Sequence, residues 1–134
     1  MDTDLKFEFK IDLKPARHAS PRYRMAKIVN EPRIRQYLVL AYQIQDTISE
    51  GRAEDLGQIA GWLGMTRPRI IQITNLLLLA PDIQAEILLS DNKKIHSLPE
   101  YKTRQITKEF DWEKQRIMWR ELIPNSSLNP NERG

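Results

Sequence analysis

Between residues 5 and 13 the chain reads LKFEFKIDL and alternates without a break. Leu5, Phe7, Phe9, Ile11 and Leu13 fall on one side, Lys6, Glu8, Lys10 and Asp12 on the other. A period of two marks a strand with one buried face. No second stretch alternates as clearly, and a strand alone leaves its N–H and C=O groups unpaired. A partner is therefore expected, either the same strand of a second subunit or an irregular local segment. From residue 33 the period becomes helical. Leu38, Ala41, Ile44 and Ile48, with Tyr37 and Leu40 beside them, predict a long helix over 33–50 that stops at Gly51. EDLGQIAGWL predicts a helix over 54–63, GMT a turn, and the following residues a helix over 67–79 stopped by Pro81. PDIQAEILLS predicts a helix over 81–89 with Ile83, Ile87 and Leu88 inward. Residues 90–98, with SDNKK, read as a linker and 99–108 as a short helix. DWEKQRIMWRELI, 111–123, reads as a clearer helix with Trp112, Trp119 and Leu122 or Ile123 on one stripe, the two Trp as core or dimer contacts. NSSLNPNERG reads as a frayed tail.

The expected fold is mostly α, a helix-turn-helix domain with one N-terminal β-strand and a C-terminal helix. Its expected divisions are a strand and basic arm over 1–32, the helix-turn-helix domain over 33–90, a helical extension over 91–124 and a disordered tail over 125–134.

Two short helices that cross steeply need a small residue where they touch, a turn residue able to take φ > 0, and apolar residues that lock the second helix to the first. Ala60 is the small residue, and Gly64 the turn residue four positions later. Leu56, Ile59 and Leu63 form the inner stripe of the first helix, Met65 plugs the turn, and Ile70, Ile73 and Leu77 anchor the second. Thr66 sits where an N-cap hydroxyl would bond a free N–H, and Pro68 where a missing N–H costs nothing. The opposite face of the second helix then shows Pro68, Gln72 and Asn75, flanked by Arg69 and Ile71, with Thr66 and Arg67 at the tip. These residue types read bases: Arg pairs with guanine, Gln and Asn with adenine, and Ile touches a thymine methyl. Arg67 and Arg69 stand at a helix N-terminus, whose partial positive charge disfavours cations. An external phosphate or guanine edge would turn that cost into charge-assisted contacts. The alternative is internal pairing with carboxylates such as Glu54 or Asp55. Beyond Asn75 the outward face becomes apolar, with Leu76, Leu78 and Leu79, and needs a cover from the helices at 33–50, 81–89 or 111–123.

Charge sharpens this picture. The chain has 134 residues, 40% hydrophobic and 29% charged, enough for one small packed domain. From Lys14 to Arg35 seven cations stand against Glu31, a balance of +6 within a net charge of only +3, so the remainder carries −3. Arg17, Arg22, Arg24, Lys27, Arg33 and Arg35 are the candidates for phosphate contacts or for an arm in an adjacent minor groove, with His18 among them. The alternative is a solvated charged stretch. With no cysteine, disulfides, thiolate catalysis and cysteine-bound zinc are excluded, and a reducing compartment fits. His18 and His96 are isolated, GRAEDLG lacks a phosphate-loop pattern, and no nucleophile has an evident base and orienter. No enzyme, cofactor or metal is expected. The opening MDTDLKFEFK is not patterned as a signal peptide, and no apolar run is long enough to span a bilayer. A cytoplasmic, nucleoid-associated protein is the expectation.

LGQIAGWLGMTRPRIIQITNLLLLAPDIQAEIL resembles the helix-turn-helix region of ParB/KorB-type partition and repressor proteins. In that family a Gly-hydrophobic-Ser/Thr turn leads into the recognition helix, and a leucine-rich end, a Pro and a short amphipathic helix follow. Gly64, Thr66, Leu76, Leu77, Leu79, Pro81 and Ile87 occupy the matching places. The likeness covers about residues 33–90 and extends to small ParB-like proteins encoded beside mobile-element recombinases. The G-E-R-R nucleotide-binding motif of the partition proteins is missing, so CTP binding and clamp sliding are not implied. The expectation is a sequence-specific double-stranded DNA-binding protein, a transcriptional regulator or recombination accessory acting as a homodimer. The alternative is an interaction adaptor for a site-specific recombinase or another DNA-processing enzyme, docked through the Phe7/Phe9 strand and the Trp112/Trp119 helix.

Overall fold

The computed structural model describes residues 31–128. The strand expected over 5–13 and the arm residues Arg17, Arg22, Arg24 and Lys27 lie outside them. Within the described residues the protein is mostly helical: α1 (Arg33–Ser49), α2 (Leu56–Leu63), α3 (Arg67–Thr74), α4 (Pro81–Leu89), α5 (Lys93–His96), α6 (Arg104–Thr107) and α7 (Trp112–Leu122). A 3₁₀ turn, Asn75–Leu78, continues α3, and another, Glu100–Thr103, leads into α6.

Two glycines set the first two helix ends. Gly51 takes φ 79° and Gly64 φ 69°, the left-handed region that a Cβ disfavours. After α1, Gly51 N–H bonds Ile48 O and Arg52 N–H bonds Thr47 O, both at 3.0 Å. After α2, Gly64 N–H bonds Gly61 O at 3.3 Å and Met65 N–H bonds Ala60 O at 3.0 Å. Both are the paired closure that satisfies the last carbonyls of a helix. The starts are capped by side chains: Asp55 accepts from Gln58 N–H in α2, and Thr66 from Arg69 N–H in α3.

The helix expected over 67–79 is α only to Thr74. Ala80 precedes Pro81 and is extended, at φ −55° and ψ 145°, and Leu79 is extended too. The chain leaves the helix early by tightening into the 3₁₀ turn. At three residues per turn Leu76 and Leu79 share one face. Both are buried, while Leu78 points outward.

The interior has two connected parts. The first joins Leu40, Ala41 and Ile44 of α1 to Ile59, Ala60 and Leu63 of α2 and to Ile70 and Ile73 of α3. The second joins Ile34 and Leu38 of α1 to Leu76, Leu79, Ile83 and Ile87, and then to Ile95, Leu98, Ile106, Trp119 and Ile123. Tyr37 and Leu77 pack against both. α1 is thus the shared wall, and residues 95–123 share an interior with the helices before them.

Buried polar side chains secure the joint between α3 and α4. Gln84 Nε2 donates to Leu77 O at 3.1 Å and to Leu79 O at 2.8 Å, and its Oε1 accepts from the Tyr42 hydroxyl. Gln115 Oε1 accepts from Ala80 N–H at 2.7 Å, and its Nε2 donates to Leu78 O at 3.1 Å and Glu109 O at 2.9 Å. Gln115 occupies the inward place in the first turn of α7 that the sequence assigns to Trp112. Trp112 is exposed and Trp119 fully buried. The inward stripe of α7 therefore runs Gln115, Trp119, Ile123. The Trp119 indole donates to buried Glu86 at 2.8 Å, and Ser126 and Ser127 complete that carboxylate's shell.

Candidate nucleic-acid interface

α3 is eight residues long and carries no acidic residue in its first turn. Its free N–H groups and aligned peptide dipoles make that end locally positive. Thr66, Arg67 and Pro68 are exposed there, and Ile71, one turn on, is exposed as well. Gln72 and Asn75 are half-buried, while Ile70 and Ile73 are fully buried on the opposite side. The structure therefore brings Thr66, Arg67, Pro68, Ile71 and part of Gln72 onto one open face beside the turn at Gly64. Arg67 makes no ion pair among the described residues.

Arg69 differs. Its Nη1 donates to Glu100 Oε1 at 2.6 Å and to Gln72 Oε1 at 3.1 Å. Its guanidinium carbon lies 4.9 Å from the centre of the Tyr37 ring, a cation–π distance. The Glu100 side chain is 3% exposed and is shared with Arg104, whose Nη2 reaches Oε1 at 3.0 Å and whose Nε reaches Oε2 at 3.2 Å. Burial pushes the Glu100 carboxyl up, but the hydrogen bonds and charges of Arg104 and Arg69 outweigh it, and its pKa lies below the ordinary carboxylate value. Burial likewise opposes the Arg69 charge, and the hydrogen bonds and charges of Glu100 and Tyr37 together more than compensate, so its pKa is raised.

Among the described residues, then, Arg69 has an internal carboxylate partner in the adverse field and Arg67 has none. The internal partner is neither Glu54 nor Asp55. Asp55 is occupied as the cap of α2, and the backbone N–H of Glu54 donates to Gln58 Oε1 at 2.8 Å. Glu100 lies 31 residues from Arg69. No local pattern announces it, because it opens a one-turn 3₁₀ segment after Pro99.

The two arm residues that are described also part ways. Arg33 is exposed at the first position of α1. Arg35 is turned inward: Nε donates to Ile87 O and Nη2 to Ser90 O, both at 3.0 Å, and Nη1 pairs with Glu31 at 3.0 Å. Ile87 and Ser90 close α4, so Arg35 supplies donors to carbonyls at a helix C-terminus, where a cation is favoured. It is engaged in holding α1 to α4.

Among the described residues no group of three or more His, Asp or Glu side chains could hold a metal ion, and no helix is long and apolar enough to cross a membrane. No protein-family model matches the sequence, and no curated protein or solved structure matches the chain.

Proposed function

We propose that this chain is a sequence-specific double-stranded DNA-binding protein in which α2, the Gly64 turn and α3 act as a helix-turn-helix, with α3 entering the major groove. The observation that carries the reading is Arg67: an exposed guanidinium at the positive end of α3, without an ion-pair partner among the described residues, beside exposed Thr66, Pro68 and Ile71. An arginine there gains most from an anion or a guanine edge supplied from outside. The cap by Thr66, the left-handed Gly64 and the buried interior shared by Ala60, Ile70 and Ile73 support it further, since they fix the angle at which α3 is presented. Arg33 and the cations before residue 31 would neutralise phosphates, acting on all sequences alike. The ParB/KorB-like character of residues 33–90 belongs to the same proposal, as does a role in transcription or recombination carried out by a homodimer.

The experiment is selection of bound sequences from a random duplex pool, repeated with Arg67→Ala. Wild type should enrich a defined site. The variant should bind that site more weakly by about 1–3 kcal/mol while keeping its affinity for unrelated duplex. Equal binding by both proteins would remove Arg67 from the reading face.

A second reading, an adaptor that docks another protein, is favoured by one observation. Phe110 is 96% exposed and Trp112 47% exposed, two residues apart in sequence where the chain enters α7. Fully buried Trp119 takes no part in such docking. Capture of a recombinase by wild type but not by Phe110→Ser, with no duplex retained by either, would favour this second reading.

A further inference from the structure

Arg69 donates to the side-chain oxygen of Gln72. A guanidinium offers N–H donors and no acceptor, so the contact decides which end of the Gln72 amide faces it. Arg69 is itself held from behind, by Glu100 at 2.6 Å and by the Tyr37 ring. Glu100 is buried and kept in place by Arg104. A chain of contacts thus runs from a buried carboxylate, through a guanidinium, to an amide on the open face of α3. Its far end is the Gln72 Nε2–H₂ group, which donates to no acceptor among the described residues and stands one turn after exposed Pro68.

We propose that Arg69 is a positioning residue for Gln72, and that Gln72 meets the major groove as a hydrogen-bond donor, selecting guanine over adenine. The inference rests on the DNA-binding reading given above. A free glutamine amide pairs with adenine by accepting from N6–H₂ while donating to N7. Here one of the oxygen's two lone pairs is engaged, and by a cation whose charge opposes the approach of the N6–H₂ group to the other. Two arginines and one carboxylate give the cluster of Arg69, Arg104 and Glu100 a charge of +1, which favours an edge made of acceptors. Guanine presents such an edge, with N7 and O6 both accepting. Arg69, expected from the sequence to touch bases directly, acts on them through its neighbour, and the adenine expected opposite Gln72 gives way to guanine.

The test is sequence selection from a random duplex pool with the full chain and three variants. Wild type should show a preference for guanine, about tenfold, at one base pair, and Gln72→Ala should abolish it there alone. Arg69→Met keeps the apolar stem over Tyr37 and removes the donors. It should move the preference at that same base pair from guanine to adenine and leave the others unchanged. Glu100→Gln, which loosens Arg69 without deleting it, should broaden that position to accept both purines. A general loss of packing would weaken every site equally and move no preference, so a uniform loss would overturn the inference. So would adenine at the Gln72-dependent position in wild type, or an Arg69→Met effect at a different base pair. A pool from which wild type enriches nothing sinks the DNA-binding reading itself, and this inference with it.

Discussion

Replacing Arg69 by alanine should cost the fold about 1–3 kcal/mol, whereas replacing Arg67 should stay within about 0.5 kcal/mol. Arg69 satisfies a buried carboxylate and lies over Tyr37, although Arg104 remains to hold Glu100 when it is gone. Arg67 is exposed in a field that disfavours it, so its removal could even stabilise by a few tenths of a kcal/mol. Urea midpoints of the two variants at unchanged m would decide, and the reverse order would refute the division of labour between them. Glu100 adds a dependence on pH. Its folded pKa lies below its unfolded one, so its contribution is complete above the unfolded carboxylate value of about 4.3 and fades as pH falls through the folded value. Glu100→Gln should therefore melt below wild type near pH 7, and the gap should narrow on acidification below the unfolded carboxylate value of about 4.3. A gap independent of pH would mean that the lost contact is not ionic. At this scale the sequence is legible where the signal is local. Thr66 caps α3 because a hydroxyl before a Pro-containing first turn has one obvious use. The pairing of Arg69 with Glu100 joins residues 31 apart, and nothing within either neighbourhood specifies it.

Among the elements, the joint between α3 and α4 depends on two glutamines. Gln115→Leu conserves most of the volume but strips a partner from Ala80 N–H and from the Leu78 and Glu109 carbonyls. Leaving such buried groups unpaired should cost about 2–4 kcal/mol in chemical denaturation, well above the effect of an ordinary surface change. A loss below about 0.5 kcal/mol would show that water replaces the side chain without penalty. The helices themselves were largely readable. Gly51, Gly64 and Pro81 punctuate the chain at places where only those residues suit the backbone, so α1, α2 and α4 fall close to their expected limits. The change to a 3₁₀ turn at Asn75 was hidden, because four consecutive leucines suit either helix and do not reveal which turn they follow. Trp112 misled for a related reason. A shared stripe with Trp119 ignores that the first turn of α7 gives its inward place to Gln115, a polar residue valued for hydrogen bonds and invisible to an apolar count.

For the whole molecule, the helices up to α4 and those after it stand or fall together. A fragment ending at Ser90 would strip Ile34, Leu38, Leu76, Leu79, Ile83 and Ile87 of their cover of Ile95, Leu98, Ile106, Trp119 and Ile123. It would also remove the Trp119, Ser126 and Ser127 donors from buried Glu86. The fragment should lose its cooperative thermal transition and its dispersed amide NMR spectrum, whereas residues 31–128 should keep both. A sharply melting fragment would mean that the later helices only decorate the earlier ones. The polar run around SDNKK looked like a linker because a lone apolar residue carries no period, yet Ile95 within it is fully buried. Length sets one more condition on the proposed reading. Eight residues of α3 at about 1.5 Å each cover about 12 Å, or about three to four base pairs of a duplex. A word so brief recurs by chance roughly every 64–256 base pairs, against a million or more competing positions in a genome. A unique address would then be spelled by several copies in register, and the interval between words would carry much of the message.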